Sequence, residues 1–301
     1  MAEMKQPLLR GELLHNVALS GYTSWRVGGP AKRFYKPADS ADLVDFLRQL
    51  DADEPILWLG LGSNLLIRDG GFNGTVIATQ GRIERLEMQA DGVLCSEAGV
   101  SCSRVARFAA RQGRVGIEFL AGIPGTMGGA LAMNAGAFGG ETWKAVAWVE
   151  TVDRQGCIRR RDPSQFEVGY RHVRGVEGEW FLRAYLQTQF GDVTAGQQKI
   201  KQLLVRRAQT QPIGLPSCGS VFRNPEGDYA ARLIEAAGLK GERIGGAVVS
   251  DKHANFIINA DDASAGDIES LIYLVRDRVE TASGVCLQPE VHMVGEREQG
   301  K

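Results

Sequence analysis

AGIPGTMGGALAMNAGAFGG, residues 121–140, is the stretch on which the reading of this chain turns. Seven glycines stand between Gly122 and Gly140, Pro124 fixes one turn, and Ala130, Leu131, Ala132 and Met133 suit a short helix. Small side chains let a main chain come close to a pyrophosphate, and the dipole at a helix start favours the anion. The pattern predicts a phosphate-gripping loop, with a tight glycine-rich linker as the other reading that composition allows. A related segment lies upstream. GLGSNLL, residues 60–66, follows the apolar run PILWL and offers Gly60, Gly62, Ser63 and Asn64 as a nest of N–H donors with two polar side chains. A Rossmann fingerprint would need glycine where Leu65 stands and a helix directly afterwards, whereas the chain continues into another apolar, strand-like run.

Around these loops the periodicity predicts mixed elements. Leu43, Phe46, Leu47 and Leu50 recur at helical spacing behind Asp39 or Ser40 as cap, and residues 55–59 read as a buried strand, giving a β-α-β start. From residue 65 to 98 short β-rich runs (LLIRD, TVIAT, VLCSEA) alternate with glycines. Ser101 caps a helix with Val105, Phe108 and Ala109 inward and Gly113 at its end. AVAWVETVDRQGCIRRR reads as a hairpin bending at Arg154, Gln155 and Gly156. A boundary is expected near residues 191–193, followed by an amphipathic helix with Ile200, Leu203 and Leu204 inward. Beyond it come a helix over 229–237 stopped by Gly238, strands AVVS and NFIIN, a long helix from about 262 to 282, and a final strand VCLQPEVHMVG.

Bulk properties narrow the classes of function. A chain of 301 residues can bury roughly 75% of its unfolded surface without a staple. A net charge of -1 gives no reason to expect a nucleic-acid partner, and Arg159, Arg160 and Arg161, flanked by acids, read as a solvated hairpin strand. The odd set Cys95, Cys102, Cys157, Cys218 and Cys286 has no C-x-x-C pair for metal or thiol exchange, so no metal is expected and a reducing, cytoplasmic compartment fits best. The N-terminus, MAEMKQPLLRGELLHNVALSG, lacks a signal peptide's unbroken apolar run, and no window approaches the roughly 20 apolar residues of a membrane span. A monomer is expected.

Three segments, SWRVGGPA (24–31), LGLGSNLL (59–66) and GIPGTMGGALAMNAGAFGGE (122–141), resemble the FAD-binding signatures of the UDP-N-acetylenolpyruvoylglucosamine reductases, in that family's order and spacing. Downstream, GYR (169–171), PSCGSVFRNP (216–225), GLKGERIGGAVVSDKHANFIIN (238–259) and LQPEVHMVG (287–295) are similar to its substrate-domain motifs, and the short segment between GYR and PSCGSVFRNP resembles the subtype lacking a tyrosine-bearing insertion. The resemblance implies an α+β fold: a two-part FAD-binding domain of the vanillyl-alcohol-oxidase/PCMH type over residues 1–191, with the β-α-β part to about 55 and a strand-rich part after it. A smaller α/β substrate-binding domain would follow over 192–301, its last residues packing back or disordered. It implies non-covalent FAD, NADPH as hydride donor and a UDP-sugar enolpyruvyl ether as substrate. Carried over by position, Gly60, Gly62, Ser63, Asn64, Leu65, Gly122, Ile123, Pro124, Gly125, Thr126, Gly128, Gly129 and Ala130 would bind the cofactor, and Asn224 and His253 the substrate. Arg171 would face the developing enolate, Glu290 would stand beside it, and Ser220 would give the proton to the carbanion. From the residues alone Ser220 reads as a loop serine and His253 as a structural histidine before a strand. After Tyr170 and Arg171 the chain departs from the family, with His172, Val173 and Arg174 where many members have a small polar residue.

Three other classes fit the sequence less well. A serine hydrolase lacks a G-x-S-x-G elbow and any readable pairing of Ser220 with His15, His172, His253 or His292. A different FAD enzyme of the same fold, or a non-catalytic nucleotide-binding module, would keep the glycine loops without needing Arg171, Ser220 and Glu290 together.

Overall fold

A computed structural model of the chain describes residues 7–298. By contact density the chain divides into two compact units: Met1–Leu14, Phe34–Gly60 and Gly74–Leu204 form the first, and His15–Arg33, Leu61–Asn73 and Val205–Lys301 the second.

In the first unit helix α1 (Ser40–Gln49) starts where the sequence predicts, because the Asp39 carboxylate accepts from Asp42 N at 2.9 Å. Its inner face, Leu43, Val44, Phe46 and Leu47, joins Tyr35 and Ile77 in one apolar cluster, with the Tyr35 and Phe46 rings stacked 3.6 Å apart. The neighbouring strand Ile56–Leu59 pairs in parallel with Phe72–Ala78. It lies at the sheet edge, so three of its four residues are only half-buried rather than buried as expected. A five-stranded antiparallel sheet forms the rest of the scaffold, in the order Ile158–Arg161, Val146–Asp153, Glu179–Leu186, Leu94–Glu97 and Leu86–Met88. The hairpin between its first two strands bends at Gly156, whose φ of 70° is free for glycine. Arg159 and Arg161 pair with Asp153 and Glu179, as their acidic flanks suggest. Helix α2 (Cys102–Arg111) covers this sheet with Val105, Ala106 and Ala109. Ser101 stands at its N-cap without a capping hydroxyl bond, its backbone bridging to Thr126 instead. The short helix α3 (Met127–Ala132) follows, capped by Thr126.

Helix α4 (Val193–Thr210) begins where a domain boundary was expected, yet about its first three turns, to Leu204, pack inside the first unit. Gly196 sits against Ala110 and Ile200 joins the cluster under α2, which moves the change of unit from residue 191 to residue 204.

The second unit is built on helices α5 (Ala230–Ala236) and α6 (Ala265–Ser283) and the antiparallel strands Arg243–Ile244, Ala247–Val249 and Ile257–Asn259. Ser264 and Asp267 make a reciprocal capping box at the start of α6, and Gly284 ends it at φ 73°. Residues far upstream complete this core: Trp25, Val27 and Leu66 are buried among Ile257, Ile268 and Leu271, and Trp25 Nε1 donates to Ile257 O at 2.7 Å. The final strand is shorter than the sequence suggests. Only His292–Val294 forms a ladder, in parallel with Leu65–Ile67, while Pro289 and Glu296 make isolated bridges to Phe222 and Gly71. The expectation about the last residues falls partly on 299–301, outside the described residues. Among the described residues no helix is long and apolar enough to cross a membrane.

Candidate active site

The first unit holds a cavity of about 390 Å³, lined by Trp58, Gly60, Thr79, Thr126, Gly128, Gly129, Val173, Trp180 and Phe181 among others. The two glycine loops read from the sequence meet at its wall. Gly60 lies so close to the Thr126 side chain that a Cβ there would strike Oγ1 and stand 3.2 Å from Cγ2. Gly122 has a similar cause, since a Cβ would enter the Phe138 ring. Gly129 differs: its open side would give a Cβ only an ordinary contact, 3.7 Å to Thr126 Oγ1, and it faces the cavity.

Donors are divided unequally between the loops. At the start of α3 the N–H groups of Met127, Gly128 and Ala130 are taken by Val100 O, Ala98 O and Thr126 O, and that of Gly129 by its own cap at 3.5 Å. The helix start is thereby stitched to the turn between strand Leu94–Glu97 and α2. In residues 60–63, by contrast, no backbone N–H has an acceptor among the described residues. The indole Nε1 of Trp58 is likewise buried without a partner among them. Burying such donors is costly unless a ligand or water accepts from them.

Arg171 occupies a two-residue turn. Strands Glu167–Gly169 and His172–Arg174 pair with Gly169 opposite His172, which leaves Tyr170 and Arg171 at the tip. Its φ of 53° is left-handed, a conformation that costs a residue with a Cβ about 1–2 kcal/mol. Such strain persists only where the surroundings over-determine it. Here the guanidinium donates from Nη2 to Gly136 O at 2.9 Å and from Nη1 to Asn134 O at 3.4 Å. Support for Arg171 therefore comes from residues 134–136, and the departure at His172 to Arg174 leaves it in place. Val173 instead packs against the apolar cluster and lines the cavity.

In the second unit the segment of Ser220 is clamped between two others. Val221 N donates to Asn255 O, and the Asn255 carboxamide accepts from Phe222 N at 2.9 Å and donates to Phe222 O at 2.8 Å. On the other side Glu290 N donates to Val221 O at 2.7 Å and Arg223 N to Gln288 O at 2.9 Å. Asn64 joins the same place, giving its side-chain N–H to Glu290 O at 3.1 Å and receiving His292 N at 3.0 Å. Ser220, Glu290 and Asn64 are thus brought together, with Glu290 only 9% exposed. Cys218 next to them donates to Ser63 O at 2.8 Å, and burial pushes its thiol well above the usual range, so it is a packed neutral group. Asn224 is exposed and caps α5 through Ala230 N at 3.1 Å. His253 stands edge-on to Phe256, its Nδ1 buried without a partner among the described residues, and desolvation lowers its pKa.

The geometry can be set beside known proteins. The family model described as the UDP-N-acetylenolpyruvoylglucosamine reductase C-terminal domain matches residues 211–294, and the model of an FAD binding domain matches residues 31–161. The UDP-N-acetylenolpyruvoylglucosamine reductase of Alkalilimnicola ehrlichii is 62% identical over 286 residues, covering 95% of this chain and 96% of that protein. That of Methylococcus capsulatus is 61% identical over 287 residues, covering 95% and 94%. This chain belongs to the UDP-N-acetylenolpyruvoylglucosamine reductase family. The crystal structure of the Thermus caldophilus reductase agrees with the fold, at 31% identity and a TM-score of 0.80 over 95% of this chain and 99% of that one. The α+β reading, with an FAD-binding domain ahead of a smaller C-terminal domain, is borne out.

Sequence reasoning missed two asparagines, Asn134, which anchors the turn of Arg171, and Asn255, which anchors the segment of Ser220. Asn134, 1% exposed at φ 47°, could have been found as the one residue in its glycine-rich loop, besides glycine, that tolerates a left-handed backbone well. Asn255 gives no such signal: within HANF nothing local separates it from a surface asparagine, and its partners lie 33 residues away.

Proposed function

We infer that this protein catalyses the NADPH-dependent, FAD-mediated reduction of UDP-N-acetylenolpyruvoylglucosamine to UDP-N-acetylmuramate, a step of peptidoglycan precursor synthesis. The observation that carries this is identity of 53–62% to proteins so named, across about 95% of the chain. Trp58, Gly60 and the aromatic cavity fit part of a dinucleotide: the unengaged N–H of Gly60 suits a diphosphate oxygen, and apolar walls with one buried donor suit a flat ring. The engaged donors of α3 favour a role for Thr126, Gly128 and Gly129 in shaping the wall rather than binding phosphate, and Ala130 is buried in the core behind them.

When bound, FAD supplies hydride chemistry, accepting from NADPH and delivering to the enolpyruvyl β-carbon. The chain's own part is to manage charge and a proton. We assign Arg171 to the negative charge that grows on the enolate and carboxylate; its strained turn and carbonyl anchors support a fixed cation, which needs no reorganisation as charge develops. We assign Ser220 to the proton delivered at the neighbouring carbon and Glu290 to holding substrate beside it. Their joint clamping by Asn255 and Asn64 supports a preset geometry. Asn224 and His253 are kept as substrate contacts, the former through its exposed amide. The working division remains cofactor binding in residues 1–191 and substrate binding in 192–301, although residues 15–33 and 61–73 fold with the second unit. A cytoplasmic location, supported by the cysteine usage, and a monomeric state belong to the same reading.

The test is spectroscopic. Purified protein should be yellow, NADPH should bleach it under anaerobic conditions, and the enolpyruvyl sugar nucleotide should restore the colour at once. Colourless protein, or bleached protein that the substrate leaves unchanged, would refute the assignment.

A further inference from the structure

We propose that Asn134 is the positioning residue for Arg171, coupling the loop after α3 to the arginine turn through one buried carboxamide. This rests on the role given above to Arg171. Asn134 Nδ2 donates to Gly169 O at 3.0 Å, the residue at which the strand enters the turn, and to Glu141 Oε2 at 3.1 Å. Its Oδ1 accepts from Trp143 N at 3.1 Å. Its main-chain oxygen and that of Gly136 receive the two guanidinium nitrogens. One residue therefore sets both ends of the lever: the backbone from which Arg171 springs and a carbonyl against which its head rests.

The loop itself is rigidly shaped. Gly136–Ala137 and Gly140–Glu141 form a two-residue hairpin with Phe138 and Gly139 at φ 54° and 84°, the signs a type I′ turn demands. Thr142 closes it, donating to Ala135 O at 2.6 Å. Glu141, held below the usual carboxylate range by its bond from Lys144 and then by Asn134 and Arg171, keeps an anion beside the guanidinium. Loss of the Nδ2 donor frees Gly169 and with it the direction of Arg171. Displacement of a catalytic group by about 1 Å costs on the order of 100-fold in rate.

The informative variant is Asn134→Asp, which keeps the size and the acceptor for Trp143 N while removing the donor. Asn134→Gly, which keeps the left-handed backbone at no cost, serves if the aspartate variant misfolds. In the FAD-loaded enzyme the substitution should slow reoxidation by the enolpyruvyl substrate roughly 10- to 100-fold. Flavin reduction by NADPH should stay within about twofold, and calorimetric affinity of the oxidised enzyme for the sugar nucleotide within about threefold, since the fault is in aim rather than in binding. Placed on Arg171→Ala, the same change should add nothing, the mark of two residues acting as one. Additive losses would overturn the coupling while leaving the arginine's role intact. An Arg171→Ala enzyme that turns over normally would overturn both.

Discussion

Two glycines on the cavity wall should respond to alanine in opposite ways. A methyl at Gly60 would collide with Thr126 Oγ1 and approach Cγ2 to 3.2 Å, so Thr126 has to move by close to 1 Å to reach ordinary contact distance. Its hydroxyl caps α3 at Gly129 N, and losing a cap costs about 1 kcal/mol, with about 1–3 kcal/mol for the overpacking itself. Gly60→Ala should therefore lower the Tm of the cofactor-free protein by several degrees, at roughly 2–4 °C per kcal/mol. Gly129 sits in helical backbone, where its methyl would meet nothing closer than 3.7 Å, and alanine there favours the helix by up to about 1 kcal/mol. The same methyl projects into the space assigned to FAD. If the cofactor has to shift, overpacking of about 1–3 kcal/mol weakens binding roughly 5- to 150-fold. Gly129→Ala should thus keep or raise the cofactor-free Tm while its FAD Kd, followed by flavin fluorescence quenching, rises. A Gly129→Ala protein that holds FAD as tightly as the parent would show that this cavity is not where the cofactor binds.

Three further outcomes follow from other residues. Ser220→Ala should preserve flavin reduction by NADPH yet cut turnover of the enolpyruvyl substrate by at least about 100-fold, the usual effect of losing a proton-transfer group; equal damage to both half-reactions would remove Ser220 from that role. Asn255→Ala strips partners from both Phe222 N and Phe222 O, buried groups worth about 1–3 kcal/mol each, so urea denaturation should register a loss of about 2–5 kcal/mol. A change under 1 kcal/mol would mean that water replaces the carboxamide. Burial and, less strongly, Lys240 depress the pKa of His253 against opposite pulls from a backbone hydrogen bond and Glu235, so on acidification the unfolded chain takes up a proton near pH 6.5, before the folded chain does. Its contribution to stability is thus complete above that pH and is lost as the pH falls below it. Thermal melts of His253→Gln at pH 7.5 and 5.5 should differ less than those of the parent, and equal differences would contradict the assignment.

Much of the secondary structure was legible because its causes are local. Asp39 before an apolar 3.6-residue repeat, Ser264 three residues before Asp267, and Gly156 and Gly284 at their turns act on neighbours a few positions away. The motif residues were legible as a set through resemblance, though their support was not. Arg171 stands out as a residue type, yet the carbonyls that hold it lie 35 and 37 residues upstream. The glycine loops announced themselves by composition, while which of them keeps its N–H groups unengaged depended on where Ala98 O and Val100 O fell.

The chain's own order of residues determined its mixed α+β character, most helix boundaries, the hairpin at Gly156 and family membership, since period, caps and motifs are carried by adjacent positions. Tertiary structure alone decided that residues 15–33 and 61–73 fold with the C-terminal unit, that α4 starts inside the first unit, and that Asn134 anchors the turn of Arg171 and Asn255 the segment of Ser220. The physical reason is sequence separation. A bond such as Trp25 Nε1 to Ile257 O joins residues 232 apart, and nothing in either local pattern names the other until the core has closed around both.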